Sequence, residues 1–283
     1  MITRFAPSPT GYLHLGHVVN AIYVWGVARA LGGTVLLRIE DHDRIRSRPV
    51  YEAALVDDLD WLGFTADEGR DPICRQSDRE TLYATALDVL RARYQVYACD
   101  CSRKEIGGEV YQGRCRDRGL EEHANRGLRV RIEPGSERFV DAMLGGQEQD
   151  PSSQCGDILL KDRDGNWTYQ FAVTVDDMLQ GVTLVIRGTD LIASTGRQLR
   201  LARMLGRRDA PRFLHHPLVM GADGEKLSKS RMDTGVRELR ASRMSAAGVI
   251  GRAAAAVGLI TKEEPVTADH VHRLFQTMAL RRA

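Results

Sequence analysis

Hydrophobic and polar positions along the 283-residue chain switch between a strand-like and a helix-like period, and the switches mark out its elements. Ile2–Ala6 reads as a short apolar strand. From Leu15 to Leu31 apolar residues recur at helical spacing until Gly32-Gly33, a natural helix stop. "TVLLRIED" (Thr34–Asp41) is a β-branched and aliphatic strand that ends in polar residues. Pro49 opens a second helix, with Leu55, Leu59 and Leu62 on one face and Gly63 closing it. A helix over about 78–93 precedes a short strand at Val96–Ala98. This β-α-β-α order predicts a parallel sheet covered by helices.

From Cys99 to about Asp150 the pattern breaks into Gly-rich loops and one clear strand, "LRVRI", which reads as an insertion. Regular structure resumes with "GDILLKDRDGNWTYQFAVTVDD", expected to be a hairpin turning at Asp164-Gly165. Strand Val182–Arg187, a helix over about 191–205 and strand Arg212–His215 follow. After "MGADGEKLSKS" the remainder reads as mostly helical and Ala-rich. The expected fold is α/β, a Rossmann-type parallel-sheet catalytic domain. Its halves would be residues 1–98 and 151–230, around an inserted subdomain at 99–150, with a short C-terminal helical region at 231–283. Ligands are expected at the carboxyl ends of the parallel strands.

Composition changes this picture little. Hydrophobic residues make up 43% and charged residues 28%, ordinary for a globular chain. A net charge of +2 neither demands nor excludes nucleic acid, although "RLARMLGRR" (Arg200–Arg208) is a local basic run. With no signal peptide and no apolar run long enough for a bilayer, no membrane is expected and residence is expected in the cytoplasm. Five cysteines, an odd number without a secretory signal, argue against a disulfide framework.

The candidate chemistry begins with "RFAPSPTGYLHLGH", Arg4 to His17. A strand end passes through a Pro-rich loop into a helix, with His14 and His17 one turn apart at the helix's positive end, where phosphates bind. The other stretch is "KLSKS", Lys226 to Ser230. Each alone is weak. Together, in one α/β chain, they resemble the paired signatures of class I aminoacyl-tRNA synthetases. Carboxylate attack on the α-phosphate of ATP builds negative charge that preorganised donors must meet. The resemblance assigns catalysis to His14, His17 and Lys229, and ATP binding to these three with Gly16, Lys226 and Ser228. Gly16 is expected to let the nucleotide approach the helix closely.

"RFAPSPTG" and "RIEDHDRIRS" look like the glutamyl group of that class, over most of the chain. Glutamate carries two carboxylates and an ammonium, so its pocket needs cations and one anion. Arg4 offers a planar fork to the side-chain carboxylate, and Glu40 would hold the α-ammonium. The resemblance adds Ala6 and Ser8 of the first motif, Tyr169 in "WTYQFAVTVDD" and Arg187 in "LVIRGTD" as L-glutamate contacts. A structural Arg4–Glu40 ion pair and ordinary strand packing of Tyr169 are the competing readings.

Three cysteines fall within "CDCSRKEIGGEVYQGRC", and such spacing favours tetrahedral zinc. Cys99, Cys101 and Cys115 leave a fourth position to Tyr111, His123 or water, with His123 preferred on chemistry alone. The glutamyl-queuosine tRNA(Asp) synthetases show this order of cysteines and tyrosine, and that resemblance selects Tyr111. It implies one structural Zn²⁺, ATP with Mg²⁺, and transfer of an activated glutamyl group to queuosine in the anticodon of tRNA(Asp) by a monomeric chain. The short stretch after "KLSKS" agrees, since it leaves no length for an anticodon-binding domain. One departure is "HLGH", where short relatives often have serine for the second histidine. Competing readings are a glutamyl-tRNA synthetase charging tRNA(Glu), a pantothenate-synthetase-like adenylyltransferase, and a silent tRNA-binding module.

Overall fold

The computed structural model describes residues 1–108, 110–220 and 235–276. Strand β1 (Ile2–Phe5) leads through the Pro-rich loop to α1 (Leu15–Ala30), β2 (Thr34–Ile39), α2 (Pro49–Leu62), β3 (Cys74–Arg75) and α3 (Glu80–Arg91). These boundaries follow the sequence closely because their punctuation is local. Pro49 sits in the first turn of α2, and Gly63 closes it at φ 85°, a left-handed value that favours glycine. β2 pairs in parallel with both β1 and β3.

The middle of the chain departs further from expectation. β4 (Val96–Cys99), the short helix α4 (Arg103–Ile106) and β5 (Gly127–Val130) are followed by β6 (Glu137–Asp141) and β7 (Gly145–Gln149), an antiparallel hairpin the sequence does not announce. After the one-turn α5 (Pro151–Gln154), β8 (Ile158–Lys161) joins β5 and β4 in an antiparallel sheet. The hairpin expected at Asp164-Gly165 is not formed as such. Its first arm is β8, Trp167 bridges back to Lys161, and the second arm is a helix, α6 (Tyr169–Leu179). Val173, Thr174 and Val175 favour a strand locally. Burial of Phe171, Ala172 and Val175 in one core with Tyr83 and Leu90 of α3 overrides that preference.

A 3-10 turn (Thr189–Ser194) and α7 (Thr195–Met204) connect β9 (Leu184–Gly188) to β10 (Arg212–His216). Beyond these lie α8 (Val236–Ala241), α9 (Ala246–Ala256) and a 3-10 segment, Ala268–Phe275. α1 is buried nearly all round, between β1, β2 and β9 on one side and α9 and the 3-10 segment on the other, and Gly26 makes the approach to that segment feasible: a Cβ there would lie 2.2 Å from the Phe275 ring. β9 and β10 are parallel, β6 adds to β10 in parallel, and β7 forms the edge. β1 runs beside β9, with the Thr183 N–H donating to the Ile2 carbonyl at 2.9 Å. Strands therefore advance outward from β1 on one side and from β9 on the other. That crevice is where an open α/β sheet binds its ligand. Among the described residues, no helix is long and apolar enough to cross a membrane.

Candidate active site

The histidine pair caps the helix it opens. His14 is the N-cap of α1; its Nδ1 accepts the Gly16 N–H at 3.1 Å, while the His14 N–H donates to His17 Nδ1 at 3.2 Å. Each neutral ring therefore carries its proton on Nε2, and each presents an N–H donor on its far side. The rings lie 4.0 Å apart between centroids. Gly16 has an added reason to be glycine, because a Cβ would come within 2.9 Å of the His14 ring. His14, Gly16 and His17 line a cavity of about 320 Å³ that continues along Arg187, Gly188 and Asp190 to His216 and Leu218. The cavity thus joins the positive end of α1 to the carboxyl ends of β9 and β10. Lys226, Ser228 and Lys229 lie outside the described residues.

Arg4, Glu40 and Arg187, near the ends of β1, β2 and β9, come together with Tyr169, the first residue of α6, but Arg4 and Glu40 do not pair with each other. Arg4 Nε donates to both Asp177 oxygens at 3.0 and 3.1 Å, and its Nη1 to the Ile186 carbonyl at 3.3 Å. Glu40 accepts from the fully buried Arg38 at 2.9 Å, and Arg38 also donates to Asp177 at 2.8 Å. Next to them Asp176 accepts from Gln76, Arg79 and Tyr83. Burial alone would raise the Asp177 pKa, yet Arg4 and Arg38 outweigh it and hold the carboxyl below its usual range. Ser8 Oγ donates to the Glu40 carbonyl at 2.8 Å, and the Glu40 N–H to the Pro7 carbonyl at 3.0 Å. The loop carrying Ala6 and Ser8 is thereby tied to the end of β2.

Arg187 differs from these arginines. It is 3% exposed, and its partners are neutral: His215 Nε2 at 3.0 Å, Gln198 Oε1 at 2.7 Å and Thr195 Oγ1 at 2.7 Å. Burial lowers its pKa, with contact to the Tyr169 hydroxyl acting in the opposite direction. Arg4, Arg38 and Arg79 face Glu40, Asp176 and Asp177, so that group is balanced. Among the described residues Arg187 has no carboxylate in its own hydrogen bonds, and Asp177 acts on it only through space. Arg38, Asp176, Asp177, Thr195, Gln198 and His215 are neighbours of the site that were not expected from the sequence. The doublets "DD" and "HH" at strand or helix ends were the available signals.

In the insertion, the Sγ atoms of Cys99, Cys101 and Cys115 lie within 4.8 Å of one another. Tyr111 joins them: its hydroxyl is 3.5 Å from Cys99 Sγ and accepts the Cys115 N–H at 2.8 Å. His123 is exposed, bonded to its neighbour's carbonyl, and not part of the cluster. Burial and the adjoining thiols push Cys101 up to about 12, the crowding that a bound dication relieves by taking thiolates. Three thiolates and a phenolate around Zn²⁺ would carry two excess negative charges. Two arginines face that excess: Arg129 donates to Cys99 Sγ and covers the Tyr111 ring at 3.8 Å, and Arg118 donates to Cys115 Sγ. The donor set fits zinc.

A crevice of this kind, with a histidine-capped helix opposite an arginine-bearing strand, defines an α/β protein whose ligand site lies at the carboxyl ends of its parallel strands. Residues 1–278 match the family model of the class I tRNA synthetases (E and Q), catalytic domain. The chain belongs to that family and is a ligase of the aminoacyl-tRNA synthetase type. It is 40% identical to a glutamyl-Q tRNA(Asp) synthetase of Symbiobacterium thermophilum, over 96% of this chain and 91% of the relative. A protein of the same name from Rhodobacter capsulatus is 42% identical, over 88% of this chain and 98% of the relative. In structure the chain is similar to a glutamate tRNA ligase from Elizabethkingia meningosepticum solved with its amino acid, with a TM-score of 0.77 and 26% identity. The match covers 96% of this chain but 64% of that ligase.

Proposed function

We propose that the protein activates L-glutamate with ATP and transfers the glutamyl group to queuosine in the anticodon of tRNA(Asp). The observation that carries the glutamate reading is the Arg187 guanidinium, which has no carboxylate among its hydrogen-bond partners in the described residues, lines the cavity that the histidines share and faces Tyr169. The names of relatives matched over nearly their whole length carry the choice of tRNA. In the first step a carboxylate oxygen of glutamate attacks the α-phosphorus and pyrophosphate leaves. The Nε2–H groups of His14 and His17 and the first turn of α1 meet the charge that develops on the phosphate. Gly16 keeps that turn open, and Lys226, Ser228 and Lys229 complete the nucleotide contacts. Mg²⁺ on the phosphates would screen their charge. Arg4 and Arg187 receive the side-chain carboxylate, Glu40 the ammonium, and Ala6, Ser8 and Tyr169 line the remainder. In the second step a hydroxyl of the queuosine cyclopentenediol attacks the acyl carbon and AMP leaves. Cys99, Cys101, Tyr111 and Cys115 would hold one structural zinc, which would tie the insertion's loops together. The reaction belongs to the cytoplasm.

The test is pyrophosphate exchange with glutamate and no tRNA, followed by labelled glutamate with tRNA(Asp) with and without queuosine. Exchange is expected without tRNA, and a label that survives removal of the 3′ end and disappears without queuosine. Exchange that requires tRNA(Glu), with glutamate on the 3′ adenosine, would refute the queuosine reading in favour of ordinary charging.

A further inference from the structure

Arg187 and His215 are register partners on the parallel strands β9 and β10, so their side chains rise on the same face. Behind His215 stands Asp141, the last residue of β6. Asp141 Oδ1 accepts the backbone N–H groups of Met143 and Leu144, both at 3.0 Å. Its Oδ2 accepts the His215 N–H at 3.1 Å and faces His215 Nδ1 at 2.6 Å. Asp141 is 1% and His215 0% exposed. Arg187 Nε always carries a hydrogen, so His215 Nε2 can only accept from it. The imidazole is therefore neutral with its proton on Nδ1, shared with Asp141. An imidazolium would set two N–H donors against each other. Burial and Arg187 both favour this neutral form, against the pull of Asp141. On the other side, Gln198 and Thr195 of α7 hold the two terminal nitrogens, and Gln198 is itself fixed by donation to Gln170 at 2.9 Å.

We propose that His215 and Asp141 are positioning residues that fix the Arg187 guanidinium as receptor for the substrate's side-chain carboxylate, and so set the preference for a carboxylate over an amide. This rests on the glutamate reading above. The interposed imidazole matters: a carboxylate bonded directly to Arg187 would neutralise it, whereas one imidazole away it orients the fork and leaves the charge to the ligand. Arg4 serves this end less well, since Asp177 already takes up its charge.

The experiment compares the full-length protein with His215→Phe and His215→Gln in pyrophosphate exchange, with glutamate and with glutamine. His215→Phe should raise the KM for glutamate at least tenfold and change the ATP KM by no more than about twofold. It should lower the glutamate-over-glutamine preference by a similar factor. In His215→Gln the amide oxygen accepts from Arg187 again, and most of the loss should be recovered. Ring ¹⁵N shifts of His215 should show the Nδ1–H tautomer in the wild type whatever the substrate. An unchanged glutamate KM in His215→Phe, equal loss in every parameter without recovery in His215→Gln, or an imidazolium at neutral pH would each overturn the assignment. If the wild type exchanges with another acid instead, the glutamate reading fails. The tautomer and the KM split, measured on that acid, then still decide the relay.

Discussion

Asp58, on the buried side of α2, offers a sharp test of how charge is handled away from the site. It is 1% exposed, and its Oδ2 has no hydrogen-bond partner among the described residues. Burial, then Asp57, raises its pKa from 3.8 to about 6; Arg237 and Arg240 act against this and Glu238 with it. Arg240 is already paired with Asp57 at 2.7 Å. Between these values the folded protein binds the Asp58 proton more tightly than the unfolded chain does. Stability from this group is thus complete below about pH 4 and is lost as pH rises through about 6. About two pKa units at ~1.4 kcal/mol each give a cost of roughly 3 kcal/mol at neutral pH. Asp58→Asn removes the titration while keeping the shape. Urea unfolding at several pH values should find the variant more stable than wild type by about 1–3 kcal/mol at pH 7.5, the advantage vanishing near pH 4. A difference between the two proteins that does not change with pH would refute the reasoning. Any packing cost of the amide is independent of pH, so the slope, rather than either single value, decides.

Arg4→Ala should leave the fold standing, because Asp177 keeps Arg38, while the glutamate KM in the exchange assay rises more than tenfold; a normal KM would place the carboxylate on Arg187 alone. Elemental analysis of protein purified without chelator should find about one zinc per chain, lost in Cys115→Ser; full occupancy in Tyr111→Phe with an undisturbed site would remove tyrosine from the ligand set. Lys229→Ala should depress glutamate-dependent exchange strongly without shifting the unfolding midpoint, and unchanged exchange would end its catalytic assignment.

Elements bounded by local chemistry were legible in the sequence. α1 and α2 could be placed from their caps, and β2 from its apolar run, because Gly63, Pro49 and the Gly32-Gly33 pair act on their own neighbours. The misread element was α6, whose β-branched run "VTV" favours a strand locally and is helical only through what it packs against. β6 and β7 were missed for a related reason: "ERFVD" and "GGQEQ" are half polar, and the hairpin they form finds its place through the pairing of β6 with distant β10. The site divides likewise. His14, His17 and the cysteine cluster were visible because their partners are close in sequence. Arg187 was named only by resemblance, since its partners lie on α7 and β10 and its meaning depends on an acid that is not bonded to it.

The β6–β7 hairpin also bears on how the molecule can be taken apart. By sequence the 99–150 stretch looks like a removable module between two halves of a sheet. In space its last quarter is part of that sheet, covering the flank of β10 and carrying Asp141 to His215. A deletion of the whole stretch would bare β10 as an open edge, inviting strand-to-strand aggregation. A chimaera exchanging the cysteine-bearing insertions between relatives should therefore cut ahead of Glu137 and keep residues 137–149 with the recipient. The natural seam lies inside the insertion, one hairpin before the place where the sequence suggests it ends.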